Sequence, residues 1–152
     1  MQALLTFLLF IITLVLQTKL RIIGSPDILI PLLIAFVVVN EAENSLLFAF
    51  TFGFIQDSLM AFGFINTLLK TIIAVSAAVL KHFIVLENSK LCMLFAAIFT
   101  PISTIGSIFA TQSFDGGLIS VPLFAMVSST IINIMLAPFF LSLLNWINRD
   151  GQ

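Results

Sequence analysis

The sequence predicts an all-α, polytopic membrane bundle of about six transmembrane helices, forming one domain over residues 1–152. Three observations carry this expectation. Of the 152 residues, 61% are hydrophobic and only 9% are charged, and the mean hydropathy is +1.23. A soluble domain is roughly a quarter charged, so too little polar surface remains to cover a globule in water. The apolar stretches nearly tile the chain, broken only by short clusters of charged residues, Gly, Pro, Ser and Asn. They are also too long and too continuously apolar for barrel strands, and an open strand cannot satisfy its backbone in lipid.

A helical span needs about 20 mostly apolar residues, within a range of roughly 17–25. The first segment covers residues 3–18 and is closed by Lys19 and Arg21, which reach toward a headgroup layer. No Lys or Arg precedes it and no small-residue cleavage site follows, so residues 1–17 read as a retained span, not a cleaved signal. Gly24-Ser25-Pro26-Asp27 is a turn. The second segment, residues 28–40, is short; Pro31 lies in its first turn, where a missing N–H costs little, and Glu41 and Glu43 mark its aqueous end. In the third segment, residues 45–60, Phe48, Phe50, Phe52 and Phe54 alternate as in a strand, but the lipid environment favours a helix. The fourth segment covers residues 65–80 and is followed by Lys81 and His82, then the polar loop Glu87-Asn88-Ser89-Lys90. In the fifth, residues 91–111, Pro101 and the later Gly106-Ser107 predict a kink or a loosened helix. Residues 112–117 read as a turn holding Asp115. The sixth, residues 119–147, is interrupted by Pro122 and Pro138, with Trp146 and Arg149 as interfacial anchors. Six spans put both termini on one side. That side carries Lys81, Lys90 and Arg149 against Lys19 and Arg21 opposite, so the positive-inside bias points to cytoplasmic termini.

Several function classes lack support. A net charge of −1 without a basic run gives nucleic acid no electrostatic footprint. The single cysteine, Cys92, excludes an internal disulfide and, between Leu91 and Met93, reads as a small apolar filler. His82 has no second His and no nearby Cys, so it reads as a solvated edge residue, not a metal ligand. There is no Walker A pattern, nucleophile elbow or paired-carboxylate site, so neither a catalytic site nor a cofactor is expected. The 17 Phe residues read as lipid-facing and core bulk.

The informative stretch is residues 48–81, two apolar runs meeting near Gly63, which reads as a helical hairpin. A carboxylate inside a membrane needs a partner. With the turn near residues 62–64, antiparallel geometry brings Asp57 level with roughly residues 67–70. Asp57–Lys70 is the first candidate pair and Asp57–Asn66 the second. Gly53 and Asp57 form G-x-x-x-D on one helix face, where the Gly leaves room for a second helix beside the carboxylate. A packing notch with a polar anchor is the plainer reading of that face; an ion or proton pathway is the alternative. Ala74, Ser76, Ala77 and Ala78 form a small-residue surface for packing or for a partner, and Ala125, Ser128, Ser129 and Asn133 form a polar stripe facing the bundle interior.

These residues, in this order, resemble the MreD family of bacterial rod-shape-determining membrane proteins. The resemblance rests on Pro26-Asp27 opening a span, Gly53 to Asp57, Gly63 to Asn66, and a small-residue span ending at Lys81. It covers residues 26–81; the fifth and sixth segments match only as hydrophobic segments. The resemblance implies a multi-pass, non-enzymatic subunit of the bacterial cytoplasmic (inner) membrane, acting in the elongasome that performs lateral peptidoglycan synthesis. Such a subunit binds the bitopic protein MreC and helps couple it to RodA, its penicillin-binding transpeptidase and, indirectly, MreB. It places Pro26, Asp27, Gly53, Asp57, Gly63 and Asn66 at motif positions that shape the bundle and its partner surface. Lys70 joins them as the candidate counter-charge. The mechanism implied is helix-in-groove association with the membrane helix of MreC. This chain departs from many members in its few basic residues between spans and its short tail after Trp146, which leaves little charge for docking MreB.

The family fold is similar to the substrate-binding components of energy-coupling-factor transporters, which supplies an alternative function. That alternative calls for a polar pocket built by several helices or a metal-binding N-terminus. One His, no Tyr and few expected buried polar residues favour the scaffold. A small secondary transporter is a third reading, resting on Asp57 and Pro101 alone.

Overall fold

The computed structural model describes residues 2–20, 27–60, 64–115 and 123–149. Arg21, the expected turn at residues 24–26 and Pro122 lie outside them. Among the described residues there are six helices and no strand: α1 (Gln2–Leu20), α2 (Leu29–Val39), α3 (Ala42–Met60), α4 (Ile65–Leu80), α5 (Asn88–Asp115) and α6 (Leu123–Arg149). The fold is all-α, as expected. The alternating Phe residues of α3 lie on a helix, with Phe52 buried, Phe48 half-buried, and Phe50 and Phe54 exposed.

The bounds of α4 match the fourth expected segment, and most other helices are longer than expected. The third begins at Ala42 because Glu43 suits the positive end of its dipole and the Ser45 hydroxyl bonds back to the Glu41 carbonyl at 2.8 Å. Residues 88–90 of the expected polar loop and residues 112–115 of the expected turn are instead helical, as the first and last turns of α5, while residues 116 and 117 lie outside the described residues. No Gly or Pro stands between Gln112 and Asp115 to stop it. Pro101 and Pro138 lie inside continuous helices, each removing one backbone donor without ending the helix.

The eleven-residue α2 is the hub, packing against all five other helices. Apolar on every side, it buries Leu29, Ile30, Pro31, Leu32, Leu33, Ile34, Ala35 and Val37; a helix without a polar face has to be enclosed. The α3–α4 and α5–α6 hairpins form the most extensive pairs around it. Beside it, Phe10 of α1 stacks on Phe52 of α3, and Phe36 of α2 stacks on Phe48 of α3 with centroids 3.9 Å apart.

The outside is apolar. Ile11, Ile12, Val15 and Leu16 on α1, Phe50 and Phe54 on α3, Ile72 and Val79 on α4, Ile98 and Ile102 on α5, and Ile131 and Met135 on α6 are all exposed. By length and composition, α5 over Asn88–Phe109 and α6 could each cross a membrane; α2, α4 and Leu4–Gln17 of α1 are apolar but shorter.

Candidate functional site

The buried polar side chains are not scattered. They include Thr13, Gln17, Gln56, Asp57, Asn66, Thr67, Lys70, Thr100, Ser103, Ser129 and Asn133. Following the alternating run of the helices, all of these lie in the half of the bundle where α2 begins. Ser45, on the first turn of α3, is the exception.

Asp57 organises one side of this half. Phe64, at the N-cap of α4, has no side-chain oxygen to offer the first turn. Asp57 supplies the missing cap from the neighbouring helix. Its Oδ1 accepts the backbone N–H of Asn66 at 3.0 Å and the Asn66 side-chain amide at 2.8 Å. Its Oδ2 accepts the backbone N–H of Thr67 at 2.8 Å and the Thr67 hydroxyl at 2.6 Å. The second and third N–H groups of a helix are the ones a capping side chain normally satisfies, and an anion there also suits the helix dipole. Gly53 makes this reach possible. A Cβ at position 53 would stand on the Thr67 Cα, 2.8 Å from the Thr67 nitrogen and 3.0 Å from the Asn66 carbonyl oxygen. The close approach expected of the G-x-x-x-D face is therefore real, and α4 of the same chain fills it.

The second expected pair for Asp57, with Asn66, forms. The first, with Lys70, does not. Lys70 instead turns to α2, where its ammonium meets Asp27 Oδ2 at 2.7 Å. Lys70 is 2% exposed and Asp27 19%. Asp57 is already saturated by four donors at the start of α4, whereas Lys70 sits one turn further along and faces the hub. Asp27 does more than neutralise it. Its Oδ1 accepts the Leu29 N–H at 3.2 Å, which opens α2, and its carbonyl accepts from the Asn133 side-chain amide at 3.2 Å. The same amide donates to the Thr100 hydroxyl at 3.2 Å, so α2, α4, α5 and α6 meet at one node. Asn133 is fully buried, and its Oδ1 has no hydrogen-bond partner among the described residues.

Of the expected inward stripe on α6, Ser129 and Asn133 are buried, while Ala125 and Ser128 are half-buried. Ala74, Ala77 and Ala78 are buried against the bundle. The expectation that few polar side chains are buried is overturned, because single Ser, Thr, Asn and Gln residues dispersed within the apolar runs turn inward together once the helices pack. Pro26 and Gly63 lie outside the described residues.

Sequence reasoning missed two residues. Thr67 contributes two of the four donors to Asp57; its place one residue after Asn66, at the third helical position, was the available signal. Lys81, read only as a marker of the end of a span, donates to the carbonyls of Val37 at 2.8 Å and Asn40 at 2.6 Å. It thereby satisfies the C-terminal end of α2 in the way a basic residue favours. Desolvation by the packed helices lowers its pKa from the ordinary lysine value, against the opposing pull of the Glu41 carboxylate. His82 is exposed, and no cluster of three metal-binding side chains occurs among the described residues.

No protein-family model, curated protein or solved structure matches this chain. The chemistry available to it is therefore read from its own residues. Neither cysteine nor histidine is among the buried polar side chains described in this half of the bundle, and the carboxylates of Asp57 and Asp27 are both engaged, Asp57 as a cap and Asp27 as a counter-ion. Such an arrangement holds helices in register.

Proposed function

We propose that this chain is a non-catalytic, multi-pass scaffold of the bacterial cytoplasmic membrane, acting in lateral peptidoglycan synthesis as an MreD-like subunit with cytoplasmic termini. One observation carries the membrane placement: polar side chains are gathered inside while the outer helices turn Leu, Ile, Val and Phe outward. In water an apolar exterior of that extent drives association, since monomers keep contiguous apolar patches to a few hundred Å². In hydrocarbon it is the favoured surface, and the buried polar contacts become the glue between helices.

The scaffold reading is supported by how the MreD-like positions are used. Asp27, Gly53, Asp57 and Asn66 all act within the bundle, as counter-ion, contact surface, cap and capped residue. None is held ready for a reaction. The proposed partners remain MreC and, through it, RodA, its penicillin-binding transpeptidase and MreB. The docking surface for the membrane helix of MreC is revised, however. Gly53, Ala74, Ala77 and Ala78 are consumed by internal packing, so a partner helix meets the outward faces instead.

A second reading, the substrate-binding component of an energy-coupling-factor type transporter, is favoured by one feature: the clustered polar half with the unpartnered Asn133 Oδ1. A tagged pull-down from detergent-solubilised native membranes separates the two. Recovery of a single-span coiled-coil protein with wall-synthesis enzymes supports the scaffold. Recovery of paired ATPases with a second membrane subunit refutes it.

A further inference from the structure

At the end of the bundle opposite the polar node, α1 stands away from α3 and leaves a cleft of about 380 Å³. Its floor is apolar, made by Phe36, Phe48, Phe52 and Leu144. Its mouth is polar, with Asn40, Asn44 and Asn148. Asn148 also borders a second cavity of about 790 Å³, between the C-terminal turns of α6 and the start of α5. That cavity is polar where the first is apolar: Ser89, Ser142, Asn145 and Arg149 line it, with Trp146 beside them. Among the described residues Arg149 has no carboxylate partner.

We infer that these adjoining cavities form one site for a glycerophospholipid, with an acyl chain in the α1–α3 cleft and the phosphate at Arg149. Three physical points favour this occupant. The site divides as an amphiphile does, with an apolar slot at one end and amides, hydroxyls and a cation at the other. A guanidinium binds a phosphate through two parallel donors, and the neighbouring Asn and Ser side chains add to it. The slot is also open to the outside of the bundle: Phe7 and Leu47 line it and are exposed there, so an acyl chain can pass between slot and bilayer.

This inference rests on the proposed membrane placement, and the two are tested separately. Alkaline extraction of native membranes tests placement alone: a chain released by alkali refutes the bilayer reading. For the site, the full chain is purified in mild detergent and studied by native mass spectrometry with phosphatidylglycerol or with diacylglycerol of the same chains. The expected result is one retained phosphatidylglycerol, with diacylglycerol held at least about tenfold more weakly. Arg149→Gln lowers phosphatidylglycerol retention by a similar factor. Thr51→Trp, at an exposed position on the cleft wall, abolishes retention of both lipids. Elution volumes of both variants stay at the wild-type value. Three results overturn the inference: no lipid retained, variants retaining as much as wild type, or inorganic phosphate binding as well as the lipid. A photo-crosslinker at position 51 that captures a protein helix instead of lipid also overturns it.

Discussion

Removing the Asp57 carboxylate tests the central physical claim about α4. In Asp57→Ala, the backbone N–H groups of Asn66 and Thr67 lose their acceptor in a place where water does not reach, since Asp57, Asn66 and Thr67 are all buried. The Asn66 amide and Thr67 hydroxyl can turn to other acceptors, but the two backbone donors cannot move. Each buried, unsatisfied donor costs about 1–3 kcal/mol, so the loss is about 4 kcal/mol. For a chain of this length, 1 kcal/mol shifts a melting midpoint by roughly 2–4 °C, which places the expected drop at roughly 8–16 °C. Asp57→Asn keeps one acceptor oxygen and turns an amide donor toward Thr67, so it falls about half as far. The protein carries its own reporter: Cys92 is the sole cysteine and is fully buried, so a dye that fluoresces on reacting with thiols follows unfolding in detergent. If Asp57→Ala melts within 2 °C of wild type, the cap does not hold α4. If Asp57→Asn falls as far as Asp57→Ala, the effect comes from charge or volume and not from the count of acceptors.

Breaking the Asp27–Lys70 pair on one side, by Asp27→Asn or Lys70→Met, leaves a buried polar group unmatched and is expected to cost about 3–5 kcal/mol. The double variant recovers part of that loss, and the thermal midpoints of the four proteins give the coupling directly. A charge swap between positions 57 and 70 is expected to rescue nothing, because those side chains do not meet. Gly53→Ala drives a Cβ into the α4 backbone and is expected to abolish accumulation of folded protein by size-exclusion profile. Gly106→Ala meets only the movable Leu69 methyl groups and shifts the midpoint by less than about 3 °C. Lys81→Met frees two carbonyls at the end of α2 and is expected to lower stability by about 1–2 kcal/mol in the same thiol assay.

Periodicity and breakers made the helices legible. The bounds of α4 are marked by the residues before Ile65 and by Lys81. Where helices run longer than expected, polar residues such as Asn88 and Gln112 carry a loop signal in the sequence, although a polar residue can end an apolar run without ending the helix. The clasp at Asp57 was half legible. Local antiparallel geometry put it opposite Asn66, but charge alone ranked Lys70 above it. Helix-end N–H groups compete for a carboxylate as strongly as a lysine does, and counting unsatisfied donors would have reversed the ranking. The Asp27–Lys70 pair and the Lys81 cap were not legible, because each joins residues more than forty positions apart across a hub whose neighbours no local pattern specifies.

The brevity of α2 bears on how the chain is made. Eleven residues rise about 16 Å, roughly half the hydrocarbon thickness of a bilayer. Its opening carboxylate is synthesised 43 residues before the lysine that neutralises it, and Lys81, which closes its other end, comes later still. During synthesis α2 therefore has neither the length to cross alone nor the partners to settle where it does in the finished bundle. With the membrane placement proposed above, Lys70 enters hydrocarbon cheaply only if Asp27 is waiting for it. On that placement the two segments leave the insertion machinery together, so a ribosome pausing before α4 would hold the first half of this protein unfinished at the membrane surface.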